Sequence, residues 1–309
     1  MARTQAADHY AAIAQRRAER PFIVRLASGI WNFSRRKPLG AIGAAIVLIF
    51  VFVAVTAPVI APFDDGAQHL RDKLQGPSAK YRLGTDNLGR DVLSRLMYGA
   101  QLSLIVGFGA VGISSLAATL MGLVMAYFGR WVDQIMSRVI DAWIALPDLI
   151  ILITFLGIVR RTGANMILAM VLGLAFLRSA TASRVVRSAV LELRNRPFVE
   201  AAEAAGAGPV RIMFRHVLPN ILPLIIVTAS VALPNAILAE ASLSFLGFGP
   251  EGTSSWGQML SVEGREFFRK QPGLALWPGV CIALAVFGFN MFGDALRDVL
   301  DPRLRGTRR

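Results

Sequence analysis

The stretch Pro38–Phe63 reads PLGAIGAAIVLIFVFVAVTAPVIAPF and contains no Asp, Glu, Lys or Arg. A helix needs about 20 apolar residues to cross the hydrocarbon core of a bilayer, so this stretch is long enough to span a membrane. The predicted helix covers about Leu39–Ala61. Such a long charge-free run is typical of a membrane span and not of a helix buried in a soluble protein.

Further apolar runs follow along the chain. Charge-free segments cover residues 96–129, 162–177, 216–239 and 271–293, and Val139–Val159 is interrupted only by Asp141 and Asp148. Charged residues make up 17% of the chain, against about 25% in soluble domains. The sequence therefore predicts an all-α integral membrane protein with six transmembrane helices, at about 39–61, 102–128, 135–159, 162–183, 221–246 and 273–292.

Features inside these predicted spans refine the picture. Pro147 removes a backbone donor from the third span and predicts a kink there. Small residues permit close helix packing in the second span, and they are Gly107, Gly109, Gly112, Ser114 and Ser115.

The net charge of +13 indicates a membrane and not nucleic acid. If both termini are cytoplasmic, roughly two thirds of the 33 Lys and Arg residues lie on the inner side, as the positive-inside rule requires. Lipid is therefore an expected partner and nucleic acid is not. The lone cysteine, Cys281, and three scattered histidines predict neither a disulfide nor a metal site.

The chain divides into four predicted regions. Residues 1–37 form a cytoplasmic segment, in which Arg20–Lys37 has the pattern of a helix lying on the membrane surface or, equally, packing against a partner subunit. Residues 38–100 contain the first span and an outside loop, 101–298 the remaining spans, and 299–309 a basic cytoplasmic tail. No cleavable signal peptide is expected, since the first apolar run is long enough to be retained.

The most informative segment is the cytoplasmic loop between the fourth and fifth spans, where residues 199–219 read VEAAEAAGAGPVRIMFRHVLP. The pattern predicts a short Ala/Glu helix, a stop at Gly206, where glycine permits the positive φ that ends a helix, and a second short helix ending before Pro219. The tiny alanine side chains allow this knob to lie close against another protein.

Six positions of this segment resemble the EAA loop of ABC importer permeases. They are Glu200, Ala201, Ala202, Gly206, Leu218 and Pro219. The resemblance implies a type I importer permease (MetI-like) fold, in which the loop is a coupling helix that docks into a groove on a cytoplasmic ATPase subunit. His216 departs from the aliphatic residue of the broad family, but its surroundings resemble the peptide branch.

Three more segments resemble the second, C-type permease of dipeptide, oligopeptide, nickel and glutathione importers. They are Leu83–Arg95, Ala241–Gly249 followed by Trp256 and Gly257, and Phe292–Pro302. The resemblance implies alternating access in a bacterial cytoplasmic membrane. It also implies a second homologous permease, one or two ATPase subunits and an extracytoplasmic solute-binding protein as partners. Dipeptides or oligopeptides are the expected substrates, with nickel, glutathione, opines or another small solute as alternatives.

The chain is expected to be a transport subunit and not an enzyme. No Gly-Lys-Ser/Thr phosphate loop is present, because none of Lys37, Lys73, Lys80 and Lys270 follows a glycine. No cofactor is expected in this chain, and ATP and magnesium are expected on the partner ATPases.

Charged residues within spans are functional candidates by default. Arg138 and Asp141 are three apart and are expected to pair, or alternatively to transmit ATPase motion; Arg178 is expected to anchor at the inner interface. Glu240 is a candidate for the substrate pathway, although we expect it on the outer surface. Asp148 replaces a small residue of the branch and is a second pathway candidate, with an effect on gating or a contact with water as its alternatives.

Two other classes of protein remain as alternatives. An ion-gradient-driven secondary transporter would show internal repeats and helices broken at matched positions, which this sequence does not show. A membrane-embedded enzyme would need a convergent cluster of catalytic residues, and the charged residues within the spans are scattered.

Overall fold

The computed structural model describes residues 34–35 and 37–300, and these residues form an all-α architecture. The main helices are α1 Pro38–Ile60, α2 Val92–Phe128, α3 Arg130–Ile144, α4 Asp148–Thr162, α5 Met166–Arg194, α6 Pro197–Ala204, α7 Leu218–Leu243 and α8 Gly273–Leu300. Short helical segments extend α7 at both ends, so that Pro209–Phe248 is helical nearly throughout. Most of the predicted surface helix at Arg20–Lys37 and the whole basic tail after 300 lie outside the described residues.

The predicted spans are confirmed, with one change in shape. Within the described residues, α1, α2, α5, α7 and α8 are each long and apolar enough to cross a membrane. The sixth span requires α3 and α4 together, and these helices are bent by 82°. The predicted kink is therefore a break, because Pro147 is extended (φ −65°, ψ 119°) and α4 starts afresh after it.

Helix α2 begins about ten residues earlier than predicted. Its first residue is Val92, and the Asp91 side chain accepts a hydrogen bond from the Ser94 amide at 2.8 Å, which caps the helix. The added turns contain Arg95, which is buried and paired with Asp86 at 2.6 Å.

The core is built around α2, which packs along α5 and also contacts α1 and α7. Gly122 makes the closest approach, since a Cβ atom there would lie 2.7 Å from Val186 of α5. Of the small residues singled out in the sequence, Gly109 has a similar role opposite Val171, whereas Gly112 faces open space.

Helix α1 packs on the opposite side, against α8. A Cβ atom at Gly43 would lie 2.6 Å from the Met291 side chain, so the two helices approach closely. An ion pair between Lys37 and Asp298 joins the start of α1 to the last turns of α8. Exposed apolar side chains cover the outer side of α1 in a pattern that suits lipid, including Leu48, Phe52, Val55 and Val59.

We predict that Gly122→Leu separates α2 from α5 and destabilises the protein, whereas Gly112→Leu is tolerated. Overpacking of a well-packed core costs about 1–3 kcal/mol, and the leucine at 122 would overlap both Val186 and the backbone of α5. Thermal unfolding in detergent measures the difference. Equal midpoints for the two variants would contradict the close approach of α2 and α5.

Candidate functional site

The predicted docking helix is α6, which starts at Pro197. Proline suits the first turn of a helix because its missing N–H would have no partner there. Glu200 lies in the same turn, where a carboxylate complements the helix dipole. Glu200 and Ala201 are exposed, so the first matched residues of the loop face outward from the protein.

The end of α6 is fixed by backbone hydrogen bonds around Gly206. The Gly206 N–H donates to the Glu203 carbonyl at 2.9 Å, and the Ala207 N–H donates to the Ala202 carbonyl at 3.0 Å. Gly206 has φ +82°, which completes a Schellman termination. The predicted glycine stop is confirmed.

The loop is anchored to the membrane core by a separate apolar cluster. Val199 of α6 is buried in it together with residues that follow the glycine stop and with the inner ends of α2 and α5. Its other buried members are Leu123, Ala126, Val186, Val190, Ile212, Met213, Val217 and Ile221. This apolar cluster consequently holds α6 in place, with its solvent-exposed face pointing away from the cluster.

The second short helix of the loop does not end before Pro219, so that prediction is wrong. A π-helical turn, Ile212–Val217, runs directly into α7. Pro219 lies in the first turn of α7, where the lack of an N–H is tolerated. Leu218 is half-buried against the apolar cluster, and Pro219 is exposed beside Val210 and Phe214.

Glu240 does not lie on the outer surface as expected, and it faces no open space in this structure. Its side chain is 0% exposed, and it accepts hydrogen bonds from three serine hydroxyls. Ser103 donates to one carboxyl oxygen at 2.7 Å, and Ser244 and Ser255 donate to the other at 2.8 Å each. Glu240 thus joins α2, α7 and the outer loop.

A second buried polar group lies close by and was missed from the sequence. Asp86 accepts from Arg90 at 2.7 Å and from Arg95 at 2.6 Å, and Arg95 also donates to Ser254 at 3.1 Å. This arrangement brings the segment Leu83–Arg95 against the outer loop. The regular spacing of acidic and basic residues in that segment was a signal for pairing, but it did not reveal Ser254.

Trp256 completes this outer cap, which comprises Leu83–Arg95 and the loop around 254–257. Its indole N–H donates to the Leu96 carbonyl at 2.9 Å, and a Cβ atom at Gly99 would lie 2.6 Å from its ring. The segment Leu83–Arg95 and the loop around 254–257, which resemble the family separately in the sequence, therefore form one packed unit at the outer ends of α2 and α7.

Asp148 lies at the start of α4 and is exposed. It interacts electrostatically with Arg178 of α5, which is half-buried. An apolar groove of about 540 Å³ lies beyond it, between α2, α4 and α5, and Asp148 does not line it. Side chains that line the groove include Ile113, Ile151, Phe155, Phe176 and Ser179.

The expected pair of Arg138 and Asp141 is only marginal. Their charged groups are 3.9 Å apart and exposed to solvent. Asp141 instead has a close partner in Arg184 of α5, which the spacing within α3 could not reveal.

We predict that Glu240→Leu destabilises the protein and that Glu240→Gln retains most of its stability. Leucine would leave three buried hydroxyls without their acceptor, and an unsatisfied buried polar group costs about 1–3 kcal/mol. Glutamine keeps one acceptor oxygen and can donate to a serine. Thermal unfolding of the two variants in detergent tests this, and a leucine variant as stable as the wild type would contradict it.

Two family models match the chain. "Binding-protein-dependent transport system inner membrane component" matches residues 118–306, and "N-terminal TM domain of oligopeptide transport permease C" matches residues 27–77. The first match includes the coupling loop and most of the helices described above.

Similar proteins give the same picture. A dipeptide transport system permease protein of Alkalihalophilus pseudofirmus is 40% identical over 272 residues, which cover 88% of each chain. A glutathione transport system permease protein of Escherichia coli is 36% identical over 278 residues, covering 89% of this chain and 90% of the relative.

A solved structure shares the fold. The MetNI methionine ABC transporter, in inward-facing conformations, contains a chain that superposes with a TM-score of 0.55 at 18% identity. The superposition covers 67% of this chain and 96% of that one. The MetI-like fold implied by the coupling loop is therefore confirmed.

The exposed loop of residues 199–219, the spans that carry it and these matches agree, and the chain belongs to the family of inner membrane permease components of binding-protein-dependent ABC transport systems.

Proposed function

We propose that this permease translocates dipeptides or oligopeptides across the cytoplasmic membrane by alternating access. The observation that carries the proposal is the similarity to a dipeptide permease: the similar protein from Alkalihalophilus pseudofirmus is named for dipeptide transport and matches along 88% of this chain. The loop of residues 199–219 in this chain, held by its apolar cluster, supports the coupling part of the proposal. Glutathione is a second candidate, since a glutathione permease is also similar, at 36% identity. Glutathione is itself a small peptide, so the two candidates share their chemistry.

The coupling role belongs to the solvent-exposed face of α6, which points away from the apolar cluster. Glu200, Ala201, Ala204 and Ala205 are exposed there, and small side chains allow a partner surface to approach the helix backbone closely. The apolar cluster behind α6 supports the proposal because a push on the helix would move the inner ends of α2 and α5 with it. Ala202 and Leu218 anchor the loop to this cluster, and Gly206 ends α6 and sets the direction in which the chain leaves it.

The proposed assembly contains a second homologous permease, giving a heterodimeric pore, one or two ABC ATPase subunits, and an extracytoplasmic solute-binding protein. ATP and magnesium would bind to the ATPases and no cofactor to this chain. Both termini are proposed to lie in the cytoplasm, which agrees with the basic residues near the inner ends of the helices. Because the chain belongs to the ABC permease family, the ion-gradient transporter and the membrane-embedded enzyme no longer stand as alternatives.

We predict that Gly206→Pro and Glu200→Lys each abolish transport while membrane insertion is preserved. Proline fixes φ near −65° and has no N–H, so it can adopt neither the +82° of Gly206 nor its hydrogen bond to Glu203. Lysine at 200 places a positive charge at the positive end of α6 and on its docking face.

Gly208→Ala is the matched control for these variants, because Gly208 has φ −71° and open space around it. Membrane fractionation, co-purification of the ATPase and peptide uptake are measured for all three. Wild-type uptake with bound ATPase in the proline and lysine variants would contradict the assignment of the coupling loop.

The substrate is tested by uptake of a labelled dipeptide in cells that lack this gene and any second peptide importer. We expect uptake to be lost and to return when the wild-type copy is restored. Competition with glutathione in the restored cells separates the two candidates. Unchanged uptake in the deletion strain would contradict the peptide proposal and leave the permease assignment in place.

A further inference from the structure

Two ion pairs clamp α3 to the cytoplasmic half of α5. Arg187 contacts both carboxylate oxygens of Asp133, and Arg184 contacts Asp141. Asp133 and Asp141 are about two helical turns apart, so α3 is fixed at both ends and cannot pivot about a single contact. The forked guanidinium of Arg187 adds directional preference to the first pair.

The clamped part of α5 leads straight into the coupling loop. Helix α5 ends at Arg194 and α6 begins at Pro197. Arg194 also donates to the Ala126 carbonyl of α2 at 3.2 Å and lies over the Tyr127 ring. The base of the coupling loop is therefore braced against α2 by Arg194 and against α3 by the two ion pairs.

At its C-terminal end, α3 is connected to α4 across the break at Pro147. The two helices are bent by 82° relative to each other, and the three residues Ala145–Pro147 form the whole connection between them. Ile151, Leu152 and Phe155 of α4 line the apolar groove against α2 and α5. Any displacement of α3 together with the clamped part of α5 must consequently move α4 or change the angle at the break.

We infer that the Asp133–Arg187 and Asp141–Arg184 pairs carry displacement of the coupling loop to α4, so that α3 is a lever that changes the groove between α2, α4 and α5. The inference rests on the proposed function, since a partner ATPase would supply the displacement. Both arginines are positioning residues in this scheme, because they act through α3 and touch no substrate.

The lever is tested in the complete importer, reconstituted with its partner subunits. Arg187→Gln and Asp133→Asn remove one ion pair, and Arg130→Gln is the matched control on α3, since Arg130 is exposed and contacts none of the four clamp residues in the described part of the chain. The measured quantity is labelled dipeptide transported per ATP hydrolysed, with bound ATPase quantified in each preparation.

We expect Arg187→Gln and Asp133→Asn to lower the transport ratio at least threefold without loss of bound ATPase, and Arg130→Gln to leave it unchanged. The exchange of both charges, Asp133→Arg with Arg187→Asp, should restore more than half of the ratio. A proportional fall in transport and ATP hydrolysis, without recovery in the exchanged variant, would identify the pairs as purely structural and overturn the lever.

A second measurement needs no substrate and so separates failure of the lever from failure of the proposed function. Spin labels are attached through Ile158→Cys on α4 and Leu284→Cys on α8, both exposed, with Cys281→Ser removing the native thiol. We expect the distance between the labels to change when ATP binds the wild-type assembly and to stay constant in the Arg184→Gln/Arg187→Gln variant. An ATP-dependent change that persists in that variant would overturn the lever and leave the proposed function in place. A change that is missing from the wild type would contradict the proposed alternating access itself, and the lever with it.

Discussion

The packing of α2 along α5 is the contact on which the rest of the structure depends. Helix α2 has 37 residues and is about 55 Å long, so one rigid element reaches from the outer cap to the coupling loop. Its outer half carries Arg95 and the Ser103 partner of Glu240, and its inner end supplies Leu123 to the cluster behind α6. Gly122 allows α5 to approach closely enough for both helices to support the loop.

The polar groups at the outer side obey a related constraint. A buried carboxyl group is tolerated where every oxygen has a donor, and both Asp86 and Glu240 meet this condition. The donors to Glu240 come from α2, from the extension of α7 and from the outer loop. The donors to Asp86 belong to its own segment, but one of them, Arg95, also donates to Ser254 of the outer loop. Burial of these groups therefore requires the outside segment and the outer loop to be in place together, which makes the cap cooperative.

Much of this architecture could be predicted from local sequence. A run without charges fixes the existence of a span, and a glycine after an Ala/Glu helix fixes its end, because both are properties of neighbouring residues. The surroundings of Glu240 were predicted wrongly, those of Asp141 only in part, and the burial of Arg95 was not predicted. Their partners in other segments are far along the chain: Ser103 lies 137 residues from Glu240, Arg184 lies 43 from Asp141, and Ser254 lies 159 from Arg95. No pattern within a single helix identifies these partners. The same holds for the 82° break: Pro147 predicts a change of direction, but no pattern of neighbouring residues gives its size.

The separation of the α6 surface from its support has an evolutionary consequence. The exposed alanines contribute little to the cluster that holds the helix, and the shape of the loop depends on Val199 and on backbone bonds at Gly206. Residues on the outer face can thus change without altering the fold. Under the coupling role proposed for α6, a duplicated copy of this gene could acquire its own ATPase by a few substitutions there. Two importers with nearly identical membrane domains could then operate in one cell without exchanging their ATPases.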